Sequence, residues 1–155
     1  GRAAAPVSLL GVALANLALS GSDNSIASGL LERLHQGKSR LVVSFGELDS
    51  DPQAAELDVV DGCVSGSLRF VDAAEHANEL MLMTPDGLML MDLRCGEINV
   101  TPTRALGGDG WSEIKLSMAR AELLTLSEMT VMRLRGIARL LLLARAHGAA
   151  RKFGW

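Results

Sequence analysis

The chain has 155 residues, 48% of them apolar and 21% charged, a balance that excludes a disordered segment and leaves ample material for a buried core. Its net charge of -3 and 3% aromatic content, with no tyrosine, argue against a nucleic-acid surface, which needs clustered cations interleaved with stacking rings. The core must be built from Leu, Met, Val and Ala.

In chain order, Pro6 suits the first turn of a helix, where its missing N–H costs nothing. Residues 7–19 then predict an apolar helix, with Val7, Leu10, Val12, Leu14, Leu17 and Leu19 spread nearly all round, a pattern expected to be buried on most sides. Gly21-Ser22-Asp23-Asn24-Ser25 interrupts it and supplies N-cap candidates for a second helix over about residues 26–36. Ile26, Leu30, Leu31 and Leu34 share one face of that helix, and Gly37 fits the position after its C-cap. A short strand is expected at 41–45. Asp49-Ser50-Asp51-Pro52 follows as a polar loop; Asp49 and Asp51 there fit a solvated turn better than an acid–base pair.

Residues 57–116 change period. Apolar runs at 57–60, 63–71, 80–84, 88–93, 98–101 and 114–116 are separated by turn residues. Asp61-Gly62 and Pro85-Asp86-Gly87 are hairpin signals, because a tight hairpin turn needs positive φ at its centre. Closely spaced strands of this kind predict an antiparallel sandwich or barrel. Met81, Met83, Met89 and Met91 recur at period two, which places them on one packed sheet face or, alternatively, along a site for a long apolar ligand. Gly107-Gly108-Asp109-Gly110 reads as a connecting loop, since no helix N-terminus closely follows it to hold a phosphate. After Met118 the apolar residues Leu123, Leu126, Leu134, Ile137, Leu141 and Ala144 recur at threes and fours, predicting a long helix to about residue 150. Residues 140–143 are Leu throughout, so that helix should lie in a bundle or at a subunit interface.

Self-contained active-site signatures are missing. His35, His76 and His147 are scattered, and none stands at metal-ligand spacing from a carboxylate or thiol. Cys63 and Cys95 fall on different predicted strands and are read as buried free thiols, which together with the lack of a signal peptide points to the cytoplasm. The apolar runs are too short to span a membrane. Gly1 is not a natural start, and the chain reads as a piece of a longer one.

The order of helices, sheet and helix resembles the acyl-CoA dehydrogenase family, over nearly the whole chain but only the middle portion of a family member. The run 61–71, Asp-Gly-Cys-Val-Ser-Gly-Ser-Leu-Arg-Phe-Val, is similar to that family's paired-strand pattern, and His76-Ala77-Asn78-Glu79-Leu80 leads into the next strand as expected. Gly136-Ile137-Ala138-Arg139 and Arg151-Lys152-Phe153-Gly154 resemble two further family patterns in the C-terminal helices.

The resemblance implies an α+β chain. Residues 1–37 would end an N-terminal helical domain, residues 38–120 would form the middle β-domain as an antiparallel barrel or sandwich, and residues 121–155 would start a C-terminal helical bundle. It implies FAD as cofactor and α,β-desaturation of an acyl-CoA thioester, a steroid side chain among the candidates. It implies a homo- or hetero-oligomer built through C-terminal helices, with no metal, nucleic acid or membrane as partner. The cofactor-binding positions it implies are Phe45, Gly46, Ser50, Phe70, Asp72 and Arg151. Three of them depart from the pattern. Gly46 has no hydroxyl, and Asp72 puts a carboxylate where a hydroxyl donor is usual, which would repel an anionic reduced flavin. Arg151 stands two residues before Phe153 rather than three. The usual catalytic glutamate falls beyond Trp155, and Glu122 and Glu128 do not fall in register with the minority position, leaving the base unassigned. A non-catalytic partner subunit with degenerate flavin contacts is the alternative that these departures imply.

Overall fold

The computed structural model describes residues 9–44, 57–84, 87–103 and 110–152. Among the described residues two helices, α1 (Leu9–Ser20) and α2 (Ser25–His35), precede eight strands, and α3 (Glu128–Lys152) follows them. The strands are β1 (Leu41–Ser44), β2 (Leu57–Val60), β3 (Cys63–Asp72), β4 (Glu79–Thr84), β5 (Gly87–Asp92), β6 (Ile98–Pro102), β7 (Trp111–Arg120) and β8 (Glu122–Leu124).

Local chemistry accounts for the element ends. Asn24 caps α2, its side-chain oxygen accepting the Ile26 N–H at 2.9 Å. Gly37, at φ 68, ends the helix in the left-handed conformation and donates its N–H to the Leu34 carbonyl. Asp61 and Gly62, at φ 49 and 76, make the tight turn joining β2 to β3, where Val60 pairs with Cys63. The second expected hairpin joins β4 to β5 with Thr84 opposite Gly87, and the Thr84 hydroxyl donates to the Gly87 carbonyl.

The strands form two four-stranded sheets, ordered β1-β4-β5-β8 and β2-β3-β7-β6. They are two sheets packed face to face, and among the described residues they do not close into the barrel that was one of the expectations. One pair, β1 with β4, is parallel. Val42, Leu80, Leu82, Met89 and Met91 of the first sheet bury against Val64, Leu68, Val71, Ile98, Ile114 and Leu116 of the second. The opposite face of the first sheet, with Leu41, Met81, Met83, Leu88 and Leu90, is covered by α1, α2 and α3. The order of layers is therefore helices, inner sheet, outer sheet. A strand buried on both faces reads as an unbroken apolar run, which is what 80–83 and 88–91 show.

Four expectations need correction. The methionines do not share one face: β4 and β5 pair Leu80 with Met91 and Met81 with Leu90, so Met89 and Met91 face the outer sheet while Met81 and Met83 face the helices. Leu123 is not helical. After β7 the chain turns at Ala121, whose N–H donates to the Gly62 carbonyl, and crosses to pair as β8 with β5 before α3 begins. Leu124 and Leu126 point into the helix-covered core, so the helical spacing there was a coincidence of two different elements. The first helix is buried on one side only, through Leu14, Ala15, Ala18 and Leu19, with Val12 and Leu17 exposed. Cys95 lies in the turn after β5, not on a strand, and both cysteines are half-buried free thiols.

On α3, Leu134 and Ala138 are buried, whereas Met129, Met132, Leu140 and Leu143 are exposed. Pro6 and the loop 49–52 lie outside the described residues. Among the described residues, no helix is long and apolar enough to cross a membrane.

Candidate functional site

The site grows out of a defect in the ladder between β3 and β7. Leu68 pairs with Ile114, and the next pair is Val71 with Ser112, so Arg69 and Phe70 together oppose the single residue Glu113. To absorb the extra residue Phe70 takes φ 58. A bulky side chain pays about 1–3 kcal/mol for that conformation and keeps it only where the surroundings dictate it. The bulge turns both Arg69 and Phe70 outward, while Leu68 and Val71 on either side stay in the core between the sheets.

Beyond the bulge, Asp72 stands opposite Trp111, half-buried and on the outer face. Ala73 then turns at φ 59, and its N–H donates to the Gly110 carbonyl at 2.7 Å, closing the end of the β3–β7 ladder. Gly110 itself sits at φ 115, a conformation suited to glycine. The Trp111 carbonyl accepts the Thr103 N–H at 2.8 Å, which extends the β6–β7 pairing to the same corner. The Phe70 ring is 45% exposed and meets the Trp111 indole edge to face, with centroids 6.3 Å apart and planes at 81°.

This corner therefore offers an outward aromatic ring on a rigid bulge, a carboxylate one register step away, and an arginine from the bulge itself. Phe70 can support a flat ring by contact with its face. Asp72, when ionised, can only accept hydrogen bonds, so it suits an N–H of such a ring and not a lone pair.

Of the six positions implied for cofactor binding, Phe70 and Asp72 are brought together here. Phe45, Gly46 and Ser50 lie outside the described residues. Arg151 lies in the last turn of α3, and its side chain is also outside them. Glu122 is exposed on β8 and Glu128 is exposed at the start of α3, so neither stands in the Phe70 corner. His35 shares a 2.7 Å hydrogen bond with the Asn16 side chain at the α1–α2 contact, and His76 is exposed on a single 3-10 turn, Ala74–His76. Trp111 was missed from the sequence. The signal for it was a tryptophan directly after a glycine-rich run, in a chain with almost no aromatics.

Among the described residues, Cys95 is the one group with a clear shift. Burial raises its thiol above the ordinary value of 9.0, and the Glu97 carboxylate, by hydrogen bond and charge, pushes in the same direction, as does the charge of Asp92.

No family model and no curated protein matches the chain. Solved structures do. The chain is similar to the Tcur3481–Tcur3483 steroid ACAD, in a variant form, at 25% identity and TM-score 0.69, covering 89% of this chain and 40% of that one. It is similar to an acyl-CoA dehydrogenase from Geobacillus kaustophilus at 14% identity and TM-score 0.68, covering 93% and 46%. A glutaryl-CoA dehydrogenase from Mycobacterium smegmatis in complex with FADH2 matches at 17% identity and TM-score 0.62, covering 88% and 40%. The chain thus has the fold of acyl-CoA dehydrogenases and spans under half the length of those structures.

Proposed function

We propose, starting from a chain that carries the acyl-CoA dehydrogenase fold, that it is the middle portion of a FAD-dependent acyl-CoA dehydrogenase subunit that desaturates an acyl-CoA thioester between its α and β carbons. The observation that carries this reading is the outward Phe70 ring on the β3 bulge, beside Asp72, within that fold. In this reading Phe70 lies against the flavin ring, and Phe45, Gly46, Ser50 and Arg151 supply further contacts. The flavin, when bound, supplies the hydride acceptor. This chain's own part is to orient the ring and to keep one of its faces dry.

Residues 1–37 then close an N-terminal helical domain, the expected β-domain over 38–120 extends through β8 to Leu124, and the rest of the chain to 155 opens the C-terminal bundle. The exposed Met129, Met132, Leu140 and Leu143 of α3 fit burial in that bundle or against another subunit. A steroid side-chain thioester is the substrate favoured by the likeness to a steroid ACAD, and a cytoplasmic setting suits the two free thiols.

Asp72 favours a second reading, a partner subunit that completes a mate's site without holding flavin itself, because its carboxylate cannot donate to the ring. The two separate on purification of the full-length protein. A catalytic subunit is yellow, with flavin absorbance near one per site, and desaturates acyl-CoA. A partner subunit is colourless alone and gains flavin only when co-expressed with its mate. A protein that stays colourless in both cases and binds no acyl-CoA ends the flavoprotein reading.

A further inference from the structure

We propose that Trp111 is the positioning residue of this site: its edge-to-face contact fixes the direction of the Phe70 ring, which is then the shelf for a flat, fused heterocycle. The identity of that heterocycle as an isoalloxazine rests on the reading above.

Three observations lead there. First, the Phe70 ring is nearly half exposed, so burial does not hold it in place, and an exposed ring reorients on the picosecond-to-nanosecond scale unless something stops it. Among the described residues its ring contact is with Trp111, edge to face at 6.3 Å and 81°. Second, Trp111 is well placed to act as a stop. It lies in register opposite Asp72, and its carbonyl is bonded to the Thr103 N–H, so its backbone is held from β3 and from β6. Third, the backbone that presents Phe70 is in an outlying conformation pinned on both sides, by the Leu68–Ile114 and Val71–Ser112 pairs and by the Ala73–Gly110 hydrogen bond. The last two of these anchors reach Ser112 and Gly110, the residues flanking Trp111.

A ring held in one orientation before the ligand arrives spares the ligand the cost of ordering it. The shelf favours a planar heterocycle over an aliphatic chain because a flat ring can lie against the Phe70 ring over its whole face.

The test uses the full-length protein, co-expressed with its mate if one is needed to load FAD. Trp111→Ala, Trp111→Phe and Phe70→Ala are compared by FAD dissociation constant and by visible circular dichroism of the bound flavin, with the thermal midpoint as a control for folding. Trp111→Ala is expected to weaken FAD binding roughly threefold to tenfold, the range for a lost aromatic pair, and to change the flavin dichroism. Trp111→Phe keeps an aromatic ring beside Phe70 and should restore both readouts.

If Phe70→Ala moves the flavin signals while Trp111→Ala leaves them at wild type, Trp111 has no positioning role and the flavin reading stands. If Trp111→Phe fails to restore them and the thermal midpoint falls with both Trp111 variants, the residue is structural and the proposal is overturned. If Phe70→Ala is also silent, or no flavin binds with or without the mate, the shelf and the flavin reading fall together.

Discussion

Val71 and Ser112 are direct cross-strand partners, and both side chains are turned into the layer between the two sheets. Val71 belongs there. The Ser112 hydroxyl is fully buried and finds no hydrogen-bond partner among the described residues. A buried hydroxyl without a partner costs on the order of 1–3 kcal/mol, so removing it is a gain. Ser112→Ala is expected to raise the unfolding free energy by about 1 kcal/mol, seen as a rise of about 2–4 °C in the thermal midpoint. A fall would mean that the hydroxyl is in fact satisfied.

The Asp61-Gly62 turn gives the opposite sign. A Cβ on Gly62 would meet nothing closer than the Ala121 carbonyl at 3.9 Å, so space is not the obstacle. The backbone is: Gly62 sits at φ 76. Gly62→Ala should therefore destabilise by about 1 kcal/mol, or somewhat more, through backbone strain alone. Urea denaturation would show the midpoint falling with an unchanged slope.

The inter-sheet layer distinguishes shape from volume. Leu80 and Met91 face each other in register, both essentially inaccessible. Leu80→Ala removes buried volume and should cost about 2–5 kcal/mol. Met91→Leu conserves most of the volume and should cost less than about 1.5 kcal/mol. Equal losses from the two changes would contradict the packing described.

Cys95 carries a pH expectation. Burial and the Glu97 carboxylate both favour the neutral thiol, so its folded pKa lies above the unfolded 9.0. The sign follows from proton counting: at alkaline pH the folded chain holds the proton longer, so this stabilisation is complete below pH 9 and is lost as pH rises through the folded value. At pH 8, iodoacetamide should modify Cys95 more slowly than a free cysteine, because the thiolate is the nucleophile. Glu97→Gln removes one of the causes and should speed the reaction; an unchanged rate would leave burial and the Asp92 charge as the explanation.

Much of the fold was legible because its signals are local. Asp-Gly marks a positive-φ turn, Asn24 marks a helix start and Gly37 marks a helix end, and each needs only neighbouring residues. What was not legible depends on pairing. Period two shows that Met81 and Met83 share a face, but only the register with β5 shows that Met89 and Met91 lie on the other one. Leu123 and Leu126 kept helical spacing with the residues of α3, and nothing local distinguished a three-residue strand from a first helical turn. The site was half visible. Phe70 and Asp72 came from a resemblance, whereas Trp111 joins them only through a bulge that no sequence pattern announced.

The short strand β8 has a practical bearing on how this chain can be cut. It lies along the free side of β5, whose sequence is Gly-Leu-Met-Leu-Met-Asp. A fragment that stopped before Glu122 would leave that apolar strand with an open edge, ready to recruit another chain. An expression fragment intended to stay monodisperse has to extend through Leu124.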